Sequence, residues 1–266
     1  YILGTHDAEI ERLRLQHALW RPQVLDCWRR AGIGPGQTVI DIGCGPGFAS
    51  IDLAEAVGPS GSVLGIERSP RYIEHARALC AARGLGNVAF RQRDVMTDAL
   101  DVDGADAAWC RWLAIFLPDP GLLVRKMADA LKPGGRLLFH EYVHYETYQS
   151  APASARLAEF VQQVMASWRE SGGEPNVARE LPRHLGDAGC RILSSRPICF
   201  SASPSDPLWR WPASFVEVNL QRLRELGRVD ADWAAAVQAD LRALEGDPNA
   251  LLITPMVLEI VAEKAA

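Results

Sequence analysis

The chain is short of positive charge. Lys and Arg number 28 against 33 Asp and Glu, giving a formal net charge of −5 at pH 7 and a pI near 5.7, and no block of like charges stands out. A nucleic-acid backbone calls for a basic face, as does an anionic membrane surface, so neither is expected as a partner. No apolar run approaches membrane-spanning length and no signal-peptide pattern opens the chain. It starts at Tyr1 without a methionine, so a few preceding residues are expected. There is no CxxC pair, and no His joins the six cysteines (Cys27, Cys44, Cys80, Cys110, Cys190 and Cys199) at zinc spacing. Several sit in apolar runs such as "AAWCRW" and "PICF", which reads as buried free thiols in a reducing, cytoplasmic compartment and not as disulfides or metal. Internal repeats and low-complexity segments are also absent.

What remains is a chain of 266 residues, enough for one α/β domain with insertions. Residues 7 to 30 read as a helix, with Ile10, Leu13, His17, Trp20 and Val24 on one stripe and Asp7 or Thr5 able to cap it. "GIGPGQ" breaks it. Short apolar runs then alternate with amphipathic stretches. Strands are expected at "TVIDI", "SVLGIE", "NVAFRQRD", "ADAAWCRW" and "RLLFHEYV", with helices over 47–57, 70–83 and 119–131. This is the signature of βαβ units in a parallel sheet covered on both faces. Beyond residue 150 the pattern loosens. A long helix through Leu157, Phe160, Val161, Val164 and Trp168 ends at Gly172-Gly173, a short helix follows at 177–188, and "CRILSSRPICF" reads as a strand. Residues 204–246 read as an inserted helix pair, and "LLITPMVLEIVAEK" as the last strand.

The first strand runs into "DIGCGPG". Gly43, Gly45 and Gly47 remove side chains where backbone turns tightly and meets a ligand lying across the strand tips. A tight turn alone would need fewer glycines. A dinucleotide loop reads GxGxxG and seats a pyrophosphate on the helix N-terminus. Here the spacing is GxGxG, and Asp41 stands beside it, where it would repel a phosphate and suit an ammonium group. S-adenosylmethionine has an ammonium and no phosphate.

"VIDIGCGPGFASIDLA" resembles the glycine-rich motif of class I S-adenosylmethionine-dependent methyltransferases, in a bacterial small-molecule branch. "GSVLGIERSPRYIEHAR", "VAFRQRDVM" and "ALKPGGRLLFHEY" follow in the family's order, so the likeness covers residues 35 to 145. It implies a Rossmann-like α/β fold: a seven-stranded, mostly parallel sheet with helices on both faces, plus helical lid insertions. The implied division is a lid at 1–34, a cofactor-binding core at 35–150, and the rest of the core at 151–266 with a substrate-covering insertion at about 204–246. By the resemblance Glu67, with Arg68 beside it, meets the ribose hydroxyls, and Asp94 and Val95 meet the adenine. Asp41, Gly43, Cys44, Gly45 and Gly47 form the loop around the methionine part. Arg111 ends strand four and offers its backbone carbonyl to the ammonium, or else a surface salt bridge. The opening residues resemble a leader that folds over the cofactor, which adds Tyr1 and Gln16. Asp101, Asp103 and Asp106 lack the full ligand set of a catechol-type metal site and read as a solvated loop, so no metal is expected.

Methyl transfer from a sulfonium needs an oriented acceptor and a dry site, and an O or N acceptor is helped by a base. The strand-five tip "HEYVHY" offers His140, Tyr142 and His144 on one face and Glu141 and Tyr145 on the other. His17 faces inward from the leader helix, either as a core histidine or as a base above the acceptor. The candidate bases are therefore His17, Glu141, His140 and His144. Trp20, Trp112, Tyr142, Trp168, Trp209 and Trp211 are the candidate acceptor wall, while Trp28 and Trp233 read as packing. Trp209 and Trp211 cannot both point one way, so one of them is free for the pocket or for an oligomer contact. No NPPY-type or DPPY-type motif is present, so the signature of adenine-base methylation is lacking. The expected function is C- or O-methylation of an apolar or aromatic small molecule, in secondary metabolism. The alternatives are a quinone or lipid-precursor methyltransferase, a non-catalytic S-adenosylmethionine-binding protein, and, disfavoured by the glycine spacing, a nicotinamide oxidoreductase.

Overall fold

The structure is a computed structural model, and it describes residues 7–265. Helix α1 (Asp7–Arg30) leads into β1 (Thr38–Ile42), α2 (Phe48–Val57), β2 (Ser62–Glu67), α3 (Pro70–Ala82), β3 (Val88–Gln92), β4 (Ala105–Arg111), α4 (Pro120–Asp129) and β5 (Leu131–His144). Each of these falls where the alternating pattern puts it. Ser69 and Asp119 cap α3 and α4 through side-chain oxygens that accept from the backbone N–H three residues on, and Pro at the next position starts each helix.

One sheet has the order β3-β2-β1-β4-β5-β10-β7, where β7 is Cys190–Ile198 and β10 is Met256–Lys264. β10 runs antiparallel to both neighbours and all other pairings are parallel. This is the seven-stranded, mostly parallel sheet that the resemblance implied. Both faces are covered, and side chains alternate between them. Val39, Trp109 and Leu138 pack under α1 and α2 with Val24, Cys27, Trp28 and Leu53, whereas Ile40, Cys110, Leu137 and Phe139 meet Leu123, Val124 and Met127 of α4. The same alternation carries Asp41, Arg111, His140 and Tyr142 to the α1 side and Glu141 to the α4 side.

Two features were not legible in the pattern. The last apolar segment divides into β9 (Leu251–Ile253) and β10. β9 then joins β6 (Gln149–Ala151) and β8 (Ser201–Ala202) in a separate three-stranded antiparallel sheet, order β6-β9-β8. Helices α5 (Ala155–Glu170), α7 (Arg210–Glu225) and α8 (Ala231–Glu245) pack on one another beside this small sheet, and α6 (Leu181–Asp187) packs on α4. The two inserted helices of 204–246 are α7 and α8. α7 touches α1 directly, where Trp211 Nε1 donates to Gln16 Oε1 at 3.1 Å. Among the described residues no helix is long and apolar enough to cross a membrane.

Candidate functional site

A cavity of about 440 Å³ opens above the tips of β1, β2, β4 and β5, between α1 on one side and α5 and α7 on the other. At one end lie the glycine loop and the tips of β2 and β3. Gly45 has φ +53°, and a Cβ built there meets nothing within 4 Å, so its missing side chain leaves open space at the cavity wall. Gly43 (φ +69°) also borders the cavity, but a Cβ on it would lie 2.8 Å from Leu113, so it lets the loop pack on the segment after β4. Gly47 does not line the cavity, contrary to its expected place. A Cβ there would lie 2.6 Å from the Ala76 Cβ, which makes it a packing glycine between α2 and α3.

Asp41, Glu67 and Asp94 all border this end of the cavity. Glu67 Oε2 accepts from Gly45 N–H at 3.0 Å and Oε1 from Ser69 N–H at 2.8 Å, which fixes the carboxylate at the cavity rim. Asp94 Oδ1 accepts from Met96 N–H at 2.9 Å, while Arg68 reaches Oδ2 at 3.4 Å. Arg68, Asp94, Val95 and Cys44 all border the cavity. Asp41 is buried and accepts from Ser50 Oγ at 2.6 Å, and burial pushes its carboxyl up to about 6. Tyr1 lies outside the described residues.

The other end is aromatic. Trp112, Phe116, Tyr142, Trp168 and Phe215 form its wall with Leu113, Ile115 and Leu117, and Arg12, Leu13, Gln16 and His17 of α1 border it from above. Trp112 holds a left-handed backbone (φ +51°), with its N–H donating to His140 O at 3.1 Å. Its ring stacks with Tyr142 (5.8 Å between centroids) and with Trp211 (5.7 Å), with Trp20 edge-on at 5.1 Å. Trp20 and Trp211 therefore support Trp112 from behind and do not border the cavity. Trp209 is buried apart from it.

The candidate bases separate sharply. His17 borders the cavity, but both ring nitrogens are engaged: Arg111 donates to Nδ1 at 2.9 Å, and Nε2 faces Asp52 Oδ2 at 3.0 Å. Since a guanidinium only donates, Nδ1 is the acceptor and Nε2 carries the proton. Burial, opposed by Asp52, lowers the His17 pKa, and the ring is a neutral tether. His140 is fully buried outside the cavity, at 3.2 Å from Glu259, which also holds Arg30 and lies with Cys27 in one core cluster. His144 is half-exposed and pairs with Glu146 and Arg179 away from the cavity. Glu141 does not border the cavity either. Its Oε1 accepts from the N–H groups of Leu113 and Ala114, each at 2.9 Å, and burial pushes its carboxyl up to about 7. These three are corrections: each answers to a neighbouring strand or loop and not to the acceptor.

Asp52, Arg21, Arg12 and Tyr72 escaped the reading of the sequence. Arg21 Nε joins His17 on Asp52 Oδ2 at 2.7 Å. Arg12 is paired with Glu9 inside the helix and donates to Gln16 Oε1 at 2.9 Å. The spacing Glu9-Arg12-Gln16 was a usable signal for one helix face. Asp52, 35 residues from His17, offered none.

Residues 33–185 match a sequence family described as a methyltransferase domain. The chain belongs to this family, so the resemblance read from its motifs holds. It is similar to aklanonic acid methyltransferase DauC of Streptomyces sp. (strain C5), 38% identical over 39% of this chain, and spans about half of that relative's length (47%). It is also similar to nocamycin O-methyltransferase of Saccharothrix syringae, 34% identical over 87% of this chain and 80% of the other. In fold it is similar to geranyl diphosphate C-methyltransferase from Streptomyces coelicolor A3(2), solved with Mg2+, geranyl diphosphate and S-adenosyl-L-homocysteine. The TM-score is 0.60 at 17% identity, over 94% of this chain and 80% of that one.

Proposed function

We propose that this chain is an S-adenosylmethionine-dependent methyltransferase acting on an apolar or aromatic small molecule in the secondary metabolism of a bacterial cytoplasm. The observation that carries the reading is one continuous cavity with two unlike ends. One end has Gly45, Glu67 and Asp94 at strand tips, and the other has an aromatic wall. The first end fits the cofactor on its own geometry: Glu67 is held rigidly by two backbone donors, Gly45 leaves space, and Asp41 supplies negative charge beside the loop. Bound there, the cofactor supplies an electrophilic methyl group on a sulfonium. Glu67 holds the ribose, Asp94 the adenine amino group, and Asp41 the ammonium.

The aromatic end orients the acceptor and excludes water, which raises the effective concentration of the reacting pair. Helix α1 and the pair α7–α8 act as covers that open for entry. The deciding experiment pairs calorimetry with turnover. Adenosylhomocysteine should bind and NADH should not, and label should pass from methyl-labelled S-adenosylmethionine to a small molecule in an extract of the native host. Binding of adenosylhomocysteine without transfer to any acceptor would instead support a non-catalytic S-adenosylmethionine-binding protein.

A further inference from the structure

The side chains of the aromatic wall carry few polar atoms, and they differ in access. Trp112 Nε1 and Trp168 Nε1 are sealed inside the wall, out of reach of anything in the cavity. The Tyr142 hydroxyl is not among the sealed atoms, and it has no hydrogen-bond partner among the described residues. Tyr142 borders the cavity and is only 6% exposed, so the surface it keeps lies on the cavity side. Neighbouring tyrosines are placed otherwise. Tyr148 donates to Pro212 O at 2.6 Å. Tyr145 lacks a hydroxyl partner too, but it is 1% exposed, does not border the cavity and stands edge-on to Tyr142 at 4.9 Å. An open hydroxyl set in an otherwise apolar wall is a place for a ligand's polar atom.

That hydroxyl is also held in place. Tyr142 lies in β5, registered against Val257 of β10, and its ring is stacked with Trp112 at 5.8 Å and braced by Tyr145. A phenol so confined has little freedom left to lose on binding. Burial pushes its pKa up, so it stays protonated and serves as a donor. The charged groups that act on it are Arg12, Arg111 and Glu141. The two guanidiniums favour a ligand that brings a lone pair over one that brings a proton. Glu141 opposes them from the other face of β5, where its Oε1 already accepts from Leu113 and Ala114.

Resting on the methyltransferase reading, we infer that Tyr142 sets acceptor specificity: its hydroxyl donates a hydrogen bond to a carbonyl oxygen carried by the planar, apolar skeleton that the aromatic wall receives. The bond transfers no proton. It fixes the rotation of the skeleton within its plane, so that one nucleophilic atom of the acceptor is turned toward the methyl group. A skeleton of the same shape without the oxygen leaves the phenol cut off from water and unpaired, which is the costlier way to lose a hydrogen bond. The substrate class is therefore an aromatic or conjugated ketone or quinone, and plain hydrocarbon skeletons are rejected.

The test uses the whole chain saturated with adenosylhomocysteine and titrated with 2-acetonaphthone and with 2-ethylnaphthalene, which has the same shape with CH2 in place of the carbonyl. Tyr142→Phe keeps the ring and removes only the hydroxyl. It should weaken the ketone by about five- to tenfold, as loss of one neutral hydrogen bond does, and leave the hydrocarbon unchanged or tighter. Its melting temperature should equal or exceed that of the wild type, and its adenosylhomocysteine affinity should stay within about twofold. A ketone-specific loss below about twofold would overturn the inference. So would a clearly lowered melting temperature, because the hydroxyl would then serve the fold. A tenfold loss of adenosylhomocysteine affinity would overturn it as well, by giving Tyr142 to the cofactor. Failure of the wild type to bind adenosylhomocysteine at all would overturn the methyltransferase reading and this inference with it.

Discussion

Arg111 donates a hydrogen bond of 2.9 Å to His17 Nδ1, and this one contact decides what His17 can do. It ties the tip of β4 to helix α1, and Asp52 on α2 takes the opposite ring nitrogen. A ring held at both nitrogens is a strut.

His17→Ala should therefore act on stability before chemistry. It leaves Arg111 and Asp52 each short of a partner in a largely buried place, at a cost of about 1–3 kcal/mol. Thermal unfolding should show a clearly lowered Tm. Turnover should fall as α1 loosens, but the rate–pH profile should keep its shape. Loss of a limb near neutral pH in the variant would make His17 a base after all.

Gly45→Val is expected to abolish adenosylhomocysteine binding in calorimetry. The new side chain would enter the cavity beside the proposed cofactor position, at a backbone φ of +53° that costs a branched residue about 1–2 kcal/mol. Gly47→Val should do different damage. It forces α2 from α3, so the fold should weaken along with binding, and the melting curve separates the two.

Cofactor affinity should depend on pH through Asp41. Its carboxyl is raised by burial from 3.8 to about 6. An ammonium beside it favours the ionised form, so adenosylhomocysteine affinity should be flat above about pH 7 and fall as pH drops through 6. The free protein runs the other way. A folded pKa above the unfolded one means that the folded state binds the proton more readily, so this group's contribution to stability declines as pH rises from about 4 to 6. Asp41→Asn should remove both dependences. An unchanged pH profile of binding would place the ammonium elsewhere.

Glu141 separates holding from catalysis. Glu141→Gln keeps a carbonyl oxygen for the N–H groups of Leu113 and Ala114 and removes a buried ionisable group, so activity and stability should stay near wild type. Glu141→Ala strands two buried donors at about 1–3 kcal/mol each, and it frees the segment that carries Leu113 and Ile115 into the cavity. Melting temperature and kcat should fall together. A Gln variant without activity but with a normal melt would return Glu141 to the reaction.

The glycine-loop end of the cavity was legible in the sequence because it is built from strand tips. Each of Asp41, Gly45, Glu67 and Asp94 sits where a β-run stops, and run, stop and spacing are local properties of a chain. The alternation that put Glu141 opposite His140 and Tyr142 was equally local. What tertiary structure decided is which of those faces meets the cavity. His140 lost to Glu259, its register partner 119 residues on, and His144 ran past the edge of the cavity to Arg179. The Arg111–His17–Asp52 tether joins three segments with no shared period, 94 and 35 residues apart, so no pattern announces it. The small sheet of β6, β9 and β8 is the same case: strands of two or three residues carry too little periodicity to be read, and they exist because distant partners satisfy their backbone groups.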